Sequence, residues 1–254
     1  METEDGTKWI LSISMGLPEE NAGKPIKECG FGNVHVMQYY VGEFDGDTFI
    51  DTQKSKLPLL LDYGTDNYAA VTFSNMKEQI MLGWGENWDY VSETPSQGYR
   101  GKMTLARRLS LAKTPFGYRL KNEPFGIEQL PEVALRSTGD VLLDENCFYM
   151  RIVLNPGEEI VFENTNKDVF SIRMMEREII VDRSHAGNYG FSKKLAEERY
   201  HILHVPRLEE GSSQMELIYD EGYFEFFADG GLLPFSVMTY VEQGYEKATL
   251  HKMA

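Results

Sequence analysis

Cysteine is nearly absent from this sequence. Cys29 and Cys147 are the two in 254 residues and lie far apart, which excludes a disulfide framework and any cysteine-rich zinc site. Basic residues are also scarce: Lys and Arg number 25 against 40 Asp and Glu, a net charge of −15. A chain of that sign repels polyanions, which counts against nucleic acid and anionic membrane surfaces as partners. Long apolar runs are missing, none approaching the roughly 20 residues that span a bilayer. Met1-Glu2-Thr3-Glu4-Asp5 is acidic, with neither the basic start nor the apolar stretch of a signal peptide before Trp9, and localisation stays undetermined. The five histidines, His35, His185, His201, His204 and His251, have no metal-ligand spacing on a helix face. His201 and His204, in a strand-rich stretch, are expected on opposite faces. No metal or cofactor is expected, and there is no glycine-rich phosphate loop or Ser-His-Asp order.

What is present is enough for a core: 42% hydrophobic and 12% aromatic residues. The apolar runs are short and β-rich. Lys8–Ser14, Val34–Gly42, Thr48–Ile50, Tyr68–Phe73 and Gln79–Trp84 read as strands, with Asp45-Gly46 as a type I′ hairpin signal. In the second half, Phe148–Leu154, Glu159–Glu163, Val169–Met174, Glu178–Val181, Gln214–Tyr219, Tyr223–Ala228 and Pro234–Tyr240 read alike, with turns at Asn155-Pro156-Gly157 and Asp229-Gly230-Gly231. Many short strands at near-regular spacing predict an all-β fold, a sandwich, barrel or propeller. Ser192–Tyr200 is the one candidate helix, carried by i,i+4 charges without an apolar stripe. Two prolines and a glycine in Asn122–Pro131 break the strand pattern and predict a connection between two domains.

Several segments then become recognisable together. They are Lys8-Trp9-Ile10-Leu11; Gln38-Tyr39-Tyr40-Val41-Gly42-Glu43-Phe44-Asp45-Gly46; Leu61-Asp62-Tyr63-Gly64-Thr65-Asp66-Asn67-Tyr68-Ala69-Ala70-Val71-Thr72-Phe73; Gly83-Trp84 with Trp88 and Tyr90; Tyr99-Arg100-Gly101-Lys102-Met103-Thr104 through Leu111; Val181-Asp182-Arg183-Ser184; and Glu225-Phe226-Phe227-Ala228-Asp229-Gly230-Gly231. In this order they resemble glycoside hydrolase family 32, the β-fructosidases. The resemblance implies a five-bladed β-propeller followed by a β-sandwich. It maps residues 1–124 onto about the last two blades of an incomplete propeller, 125–137 onto a linker and 138–254 onto the sandwich. The first three blades are expected to be absent.

The same resemblance bears on chemistry. A retaining glycosidase needs two carboxyls about 5 Å apart. The family's nucleophile comes from an Asn-Asp-Pro motif and its transition-state stabiliser from Arg-Asp-Pro, yet no Asp-Pro dipeptide occurs in this chain. Glu28-Cys29 spells the family's acid/base dipeptide but follows the Trp9 strand instead of preceding it, and reads as a coincidence within a loop. No catalytic residue is therefore expected.

Two residues stand as substrate-binding candidates by resemblance. Asp62 opens Asp62-Tyr63-Gly64-Thr65; in plant members of the family that aspartate and a lysine in the place of Thr65 touch the sugar outside the fructosyl subsite. It reads either as a sugar-hydroxyl acceptor without its usual ion-pair partner, or as a turn-capping residue before glycine. Trp84 reads either as a wall of the fructose pocket or as ordinary packing; Trp88 and Tyr90 lie beside it. Arg100 and Arg107 read as scaffold, and Arg108, where the family has glutamate, inverts a charge. The expected function is the C-terminal portion of a β-fructosidase acting on sucrose or fructan, inactive alone and partnered by a complementing N-terminal half or by itself. The alternative is a non-catalytic carbohydrate-binding or structural β module.

Overall fold

The computed structural model describes residues 1–18, 33–53, 55–96, 98–135, 138–144 and 146–253. The chain is all-β. Strands β1 (Trp9–Gly16), β2 (His35–Phe44) and β3 (Phe49–Asp51) form a three-stranded antiparallel sheet in that order. The β2–β3 hairpin falls where Asp45-Gly46 predicts one, but Phe44 pairs with Phe49, so the loop has four residues and not two. The Asp45 carboxylate closes it by accepting the N–H groups of Asp47 and Thr48.

A second sheet follows from β4 (Tyr68–Thr72), β5 (Gln79–Gly85), β6 (Lys102–Met103), β7 (Arg107–Thr114) and β8 (Gly117–Pro124), ordered β4-β5-β7-β8 with β6 on β5. It packs on the first sheet through Met37, Tyr39 and Val41 on one side and Met81, Leu109 and Leu120 on the other.

The rest forms two further sheets. Strands β9 (Glu132–Ala134), β10 (Gly139–Leu142), β11 (Cys147–Leu154), β12 (Glu158–Glu163), β13 (Val169–Met174) and β14 (Glu178–His185) precede helix α1 (Glu198–His201). Strands β15 (Ile202–Pro206), β16 (Ser213–Asp220), β17 (Tyr223–Ala228), β18 (Leu233–Met238) and β19 (Lys247–Lys252) follow. One sheet is ordered β10-β19-β12-β13-β14-β15, the other β18-β17-β16-β11-β9. They share one core in which Phe162 and Phe170 of the first meet Phe224, Phe226 and Phe235 of the second. Phe170 stacks on Phe224 at 4.4 Å and Phe226 on Phe235 at 4.6 Å, so ring faces fill the space between sheets.

Two expectations shift. Ser192–Tyr200 is mostly turns, and the helix is the single turn Glu198–His201; without an apolar stripe nothing anchors a longer one. Glu132–Ala134 lies within the stretch read as a connection, yet pairs in parallel with Tyr149–Arg151, so sheet pairing resumes before residue 138.

Candidate functional site

Asp62 and Trp84, paired by the sequence reading, fall in different surroundings. Asp62 is buried against the C-terminal sheets, and both its oxygens are in use. Oδ1 accepts the backbone N–H groups of Gly64 at 2.8 Å and Ser236 at 2.9 Å. Oδ2 accepts from Arg107 Nη1 at 2.8 Å, Ser236 Oγ at 2.7 Å and Asn67 Nδ2 at 3.1 Å. The bond from Gly64 is the turn-capping geometry. The ion-pair partner expected to be missing is supplied by Arg107, and Thr65 instead donates its hydroxyl to Asp66 at 2.7 Å. Asp62 therefore offers no free carboxylate to a sugar; it is committed to the join between the two halves.

Arg107, read as scaffold, is the centre of that join. Its Nε and Nη2 reach Glu225 Oε2 at 2.9 and 2.6 Å, and Nη2 also donates to Ser236 Oγ. Burial opposes the guanidinium charge, but Glu225 and Asp62 more than offset this and hold its pKa above the usual value. The other oxygen of Glu225 accepts the N–H of Leu105. The inverted charge at Arg108 is accommodated outside the join, on Glu78 at 2.7 Å.

A second buried pair lies alongside. Asp66 Oδ2 accepts from Arg183 Nη1 at 2.8 Å and from the N–H of Met238 at 2.9 Å, and Oδ1 accepts the Tyr90 hydroxyl. Next to it, Glu86 is buried and accepts the Tyr240 hydroxyl at 2.9 Å. Burial, with Asp66 adding to it, pushes the Glu86 carboxyl up to about 8. Gly64 meets β18 so closely that an added Cβ would lie 2.0 Å from the Ser236 carbonyl oxygen. Asp62, Asp66, Arg107, Arg183, Glu86 and Glu225 thus tie β18, β17 and β14 to the second sheet and its flanking loops.

Trp84 stands apart, at the end of β5 and half-buried. Its ring lies 4.9 Å from that of Trp88, which is 59% exposed. On the neighbouring strand Tyr68 pairs with Trp84, and its ring meets His35 edge-on at 5.5 Å. His35 Nδ1 is 3.4 Å from Asp89 Oδ1, and Asp89 also accepts the Tyr200 hydroxyl. Trp84 and the exposed Trp88 form an aromatic ledge whose ring faces can meet C–H groups, with His35 and Asp89 set back behind it. Sequence reasoning named Trp84 and Trp88; Tyr90, named beside them, is instead buried at the join with Asp66. The same reasoning missed His35, Tyr68 and Asp89, which lack any spacing that links them.

Arg100 donates Nε to the Thr94 carbonyl at 2.9 Å. His201 ends α1 and His204 sits on β15 beside Glu178 at 3.0 Å. Glu28-Cys29 lies outside the described residues. Among the described residues no group of three or more His, Cys, Asp and Glu could hold a metal ion, and no helix is long and apolar enough to cross a membrane.

Comparison with known proteins bears on what this geometry serves. Residues 1–124 match the family model for the glycosyl hydrolases family 32 N-terminal domain. A levanase of Bacillus sp. (strain L7) is 27% identical over 256 residues, 90% of this chain and 26% of the relative. A levanase of Bacillus subtilis (strain 168) is 26% identical over 197 residues, 76% of this chain and 25% of the relative. An extracellular exo-inulinase of Meyerozyma guilliermondii is 36% identical over 116 residues, 44% of this chain and 20% of the relative. Among solved structures, a Schwanniomyces occidentalis fructofuranosidase complexed with fructose superposes on 100% of this chain with a TM-score of 0.76 at 19% identity, covering 55% of its own chain. The chain thus spans about a quarter of the two levanases and about half of the solved structure. By sequence and by fold, the chain is related to glycoside hydrolase family 32.

Proposed function

We propose that this chain is the C-terminal portion of a family 32 glycoside hydrolase acting on β-D-fructosyl linkages of sucrose or fructans. In this reading β1–β3 and β4–β8 are the last two blades of a propeller, β9–β19 are the sandwich, and residues 125–131 join them. The observation that carries it is the Trp84–Trp88 ledge at the end of β5: an aromatic wall for a sugar that needs opposite walls from elsewhere. The levanases and exo-inulinase similar to this chain are named for fructan substrates, which supports the substrate class.

Within these residues the mechanism stops at binding. Cleavage with retention requires an exposed carboxylate pair about 5 Å apart. Asp62, Asp66, Glu86 and Glu225 are buried and spent on the join, and no Asp-Pro dipeptide is present. The isolated chain is expected to release no reducing sugar from sucrose or levan; release above a buffer blank by pure chain would overturn this. Titration with fructose checks the ledge. Weak binding that Trp84→Ala abolishes supports it, whereas tight binding unaffected by Trp84→Ala favours a non-catalytic carbohydrate module with its site on the C-terminal sheets.

A further inference from the structure

The loop after β5 is held nearly everywhere except at the residue it presents. Asn87 donates Nδ2 to the Thr65 carbonyl at 2.8 Å, and its Oδ1 accepts the N–H of Asp89 at 2.9 Å. Glu86 accepts the Tyr240 hydroxyl, and the Tyr90 hydroxyl donates to Asp66. Between these anchors Trp88 is 59% exposed. The two rings of the ledge are fixed unequally. Trp84 lies on β5, opposite Tyr68 on one side and Met103 on the other. Its Nε1 lies against Gly101, where an added Cβ would collide with it. Trp88 lies in a turn, so its place over Trp84 follows from the loop that carries it.

That loop is in turn held by the C-terminal sheets. Asp89, next to Trp88, accepts the Tyr200 hydroxyl from α1, and its other oxygen faces His35 Nδ1 at 3.4 Å. Tyr200 is itself fixed from several sides. It is buried, its carbonyl accepts Arg183 Nε, and its ring meets Tyr90 edge-on at 5.3 Å with the Arg199 guanidinium 4.9 Å above it. Burial, with Asp89 beside it, pushes the pKa of this hydroxyl up, so it keeps its proton and donates. We propose that Tyr200 is a positioning residue for the ledge: through Asp89 it holds Trp88 against Trp84, and the C-terminal sheets thereby set the aromatic spacing that a sugar meets. The assignment rests on the functional reading above for the sugar, and on this geometry alone for the ledge.

Two indole rings 4.9 Å apart and inclined at 49° couple their electronic transitions, which gives a circular-dichroism couplet sensitive to that spacing and angle. The third tryptophan, Trp9, lies on β1 with Phe44 as its ring partner. The experiment reads this couplet in the full chain, together with thermal unfolding and fructose titration. Trp84→Phe is expected to abolish the couplet and so assign it to the ledge. Tyr200→Phe keeps the buried ring and removes only the hydroxyl; the couplet should shrink and fructose binding weaken about fivefold, with the unfolding midpoint nearly in place. Asp89→Ala, which leaves α1 untouched, should act alike, and Asp89→Asn, which keeps an oxygen for the Tyr200 hydroxyl, should retain the couplet. A couplet that persists in both Tyr200→Phe and Asp89→Ala, one that survives Trp84→Phe, or one lost only together with the unfolding midpoint would overturn the proposal. Fructose binding is scored separately: a diminished couplet with unchanged or undetectable binding upholds the positioning of Trp88 and counts against the ledge as a wall for sugar.

Discussion

The two halves of the molecule handle apolar surface in opposite ways. In the C-terminal pair of sheets, every residue of β17 and β18 is buried, and the shared core holds thirty-one buried residues against eight between the first two sheets, among the described residues. Strand β1, by contrast, is exposed along most of its length. A pair of sheets that closes on itself finishes its own burial; a stack of sheets leaves an end face unfinished. The N-terminal half gains its order from two places instead, the small core around Tyr39 and Met81 and the polar join to β18. The lesson is that stability and openness are segregated: the second half holds the first in place, and the first keeps a surface free.

The comparison can be broken most directly at the join. Arg107→Ala leaves Asp62 and Glu225 buried without their cation, and removing one partner of a buried pair costs about 3–5 kcal/mol. Denaturant unfolding of the variant should show two separated transitions, and limited proteolysis should cut near residues 125–131. A single transition at the unaltered midpoint would mean that the halves are held together otherwise. Inside the closed half, Phe224→Ala removes a ring stacked on Phe170 and is expected to cost about 3–5 kcal/mol in a single shifted transition.

A pH series sharpens the picture of the join. The folded Glu86 carboxyl titrates at about 8, against an ordinary 4.5, because burial and Asp66 disfavour its charge. Between those values the folded chain holds a proton that the unfolded chain has released. This group's contribution to stability is therefore whole below about pH 4.5 and declines as pH rises toward 8. Glu86→Gln, which keeps a partner for the Tyr240 hydroxyl, should flatten the slope of stability against pH across that window; an unchanged slope assigns the dependence to other groups. The smallest effect belongs to the open face. Leu11→Ser in the isolated chain should shift stability by no more than about 0.5 kcal/mol, as for exposed substitutions generally. A larger loss by thermal melting would mean that the face is already covered.

How far the sequence could be read differs between strands and contacts. Val169–Met174 and Tyr223–Ala228 coincide with β13 and β17 to the residue, because β-branched and aromatic runs end at turn residues. Strands β7 and β8 went unmarked: Arg107–Thr114 and Gly117–Pro124 alternate apolar residues with charges, and their apolar content is too thin to stand out. β19 is obscured for the same reason, whereas β15 is legible only as part of the strand-rich stretch around His201 and His204. The Glu221-Gly222 turn between β16 and β17, with φ of 43° and 90°, forms a two-residue hairpin, and here the glycine matters because both positions lie in the left-handed region.

Local chemistry in the chain determined the all-β class, most strand positions, the turn at Asp62-Tyr63-Gly64 and the resemblance to family 32. These depend on neighbours within a few residues, where alternation, β-branching and turn propensity act. Tertiary structure alone decided what Asp62 is for. Arg107 lies 45 residues from Asp62 and 118 from Glu225, and Ser236 lies 174 from Asp62. A carboxylate's role is set by which donors surround it and whether water reaches it. Both follow from how β18 packs against the Asp62 loop, and no local pattern encodes that. The open face of β1–β3 has the same origin: alternation shows that residues 9, 11 and 13 share a face, and only the packed sheets show that nothing in the described chain covers it.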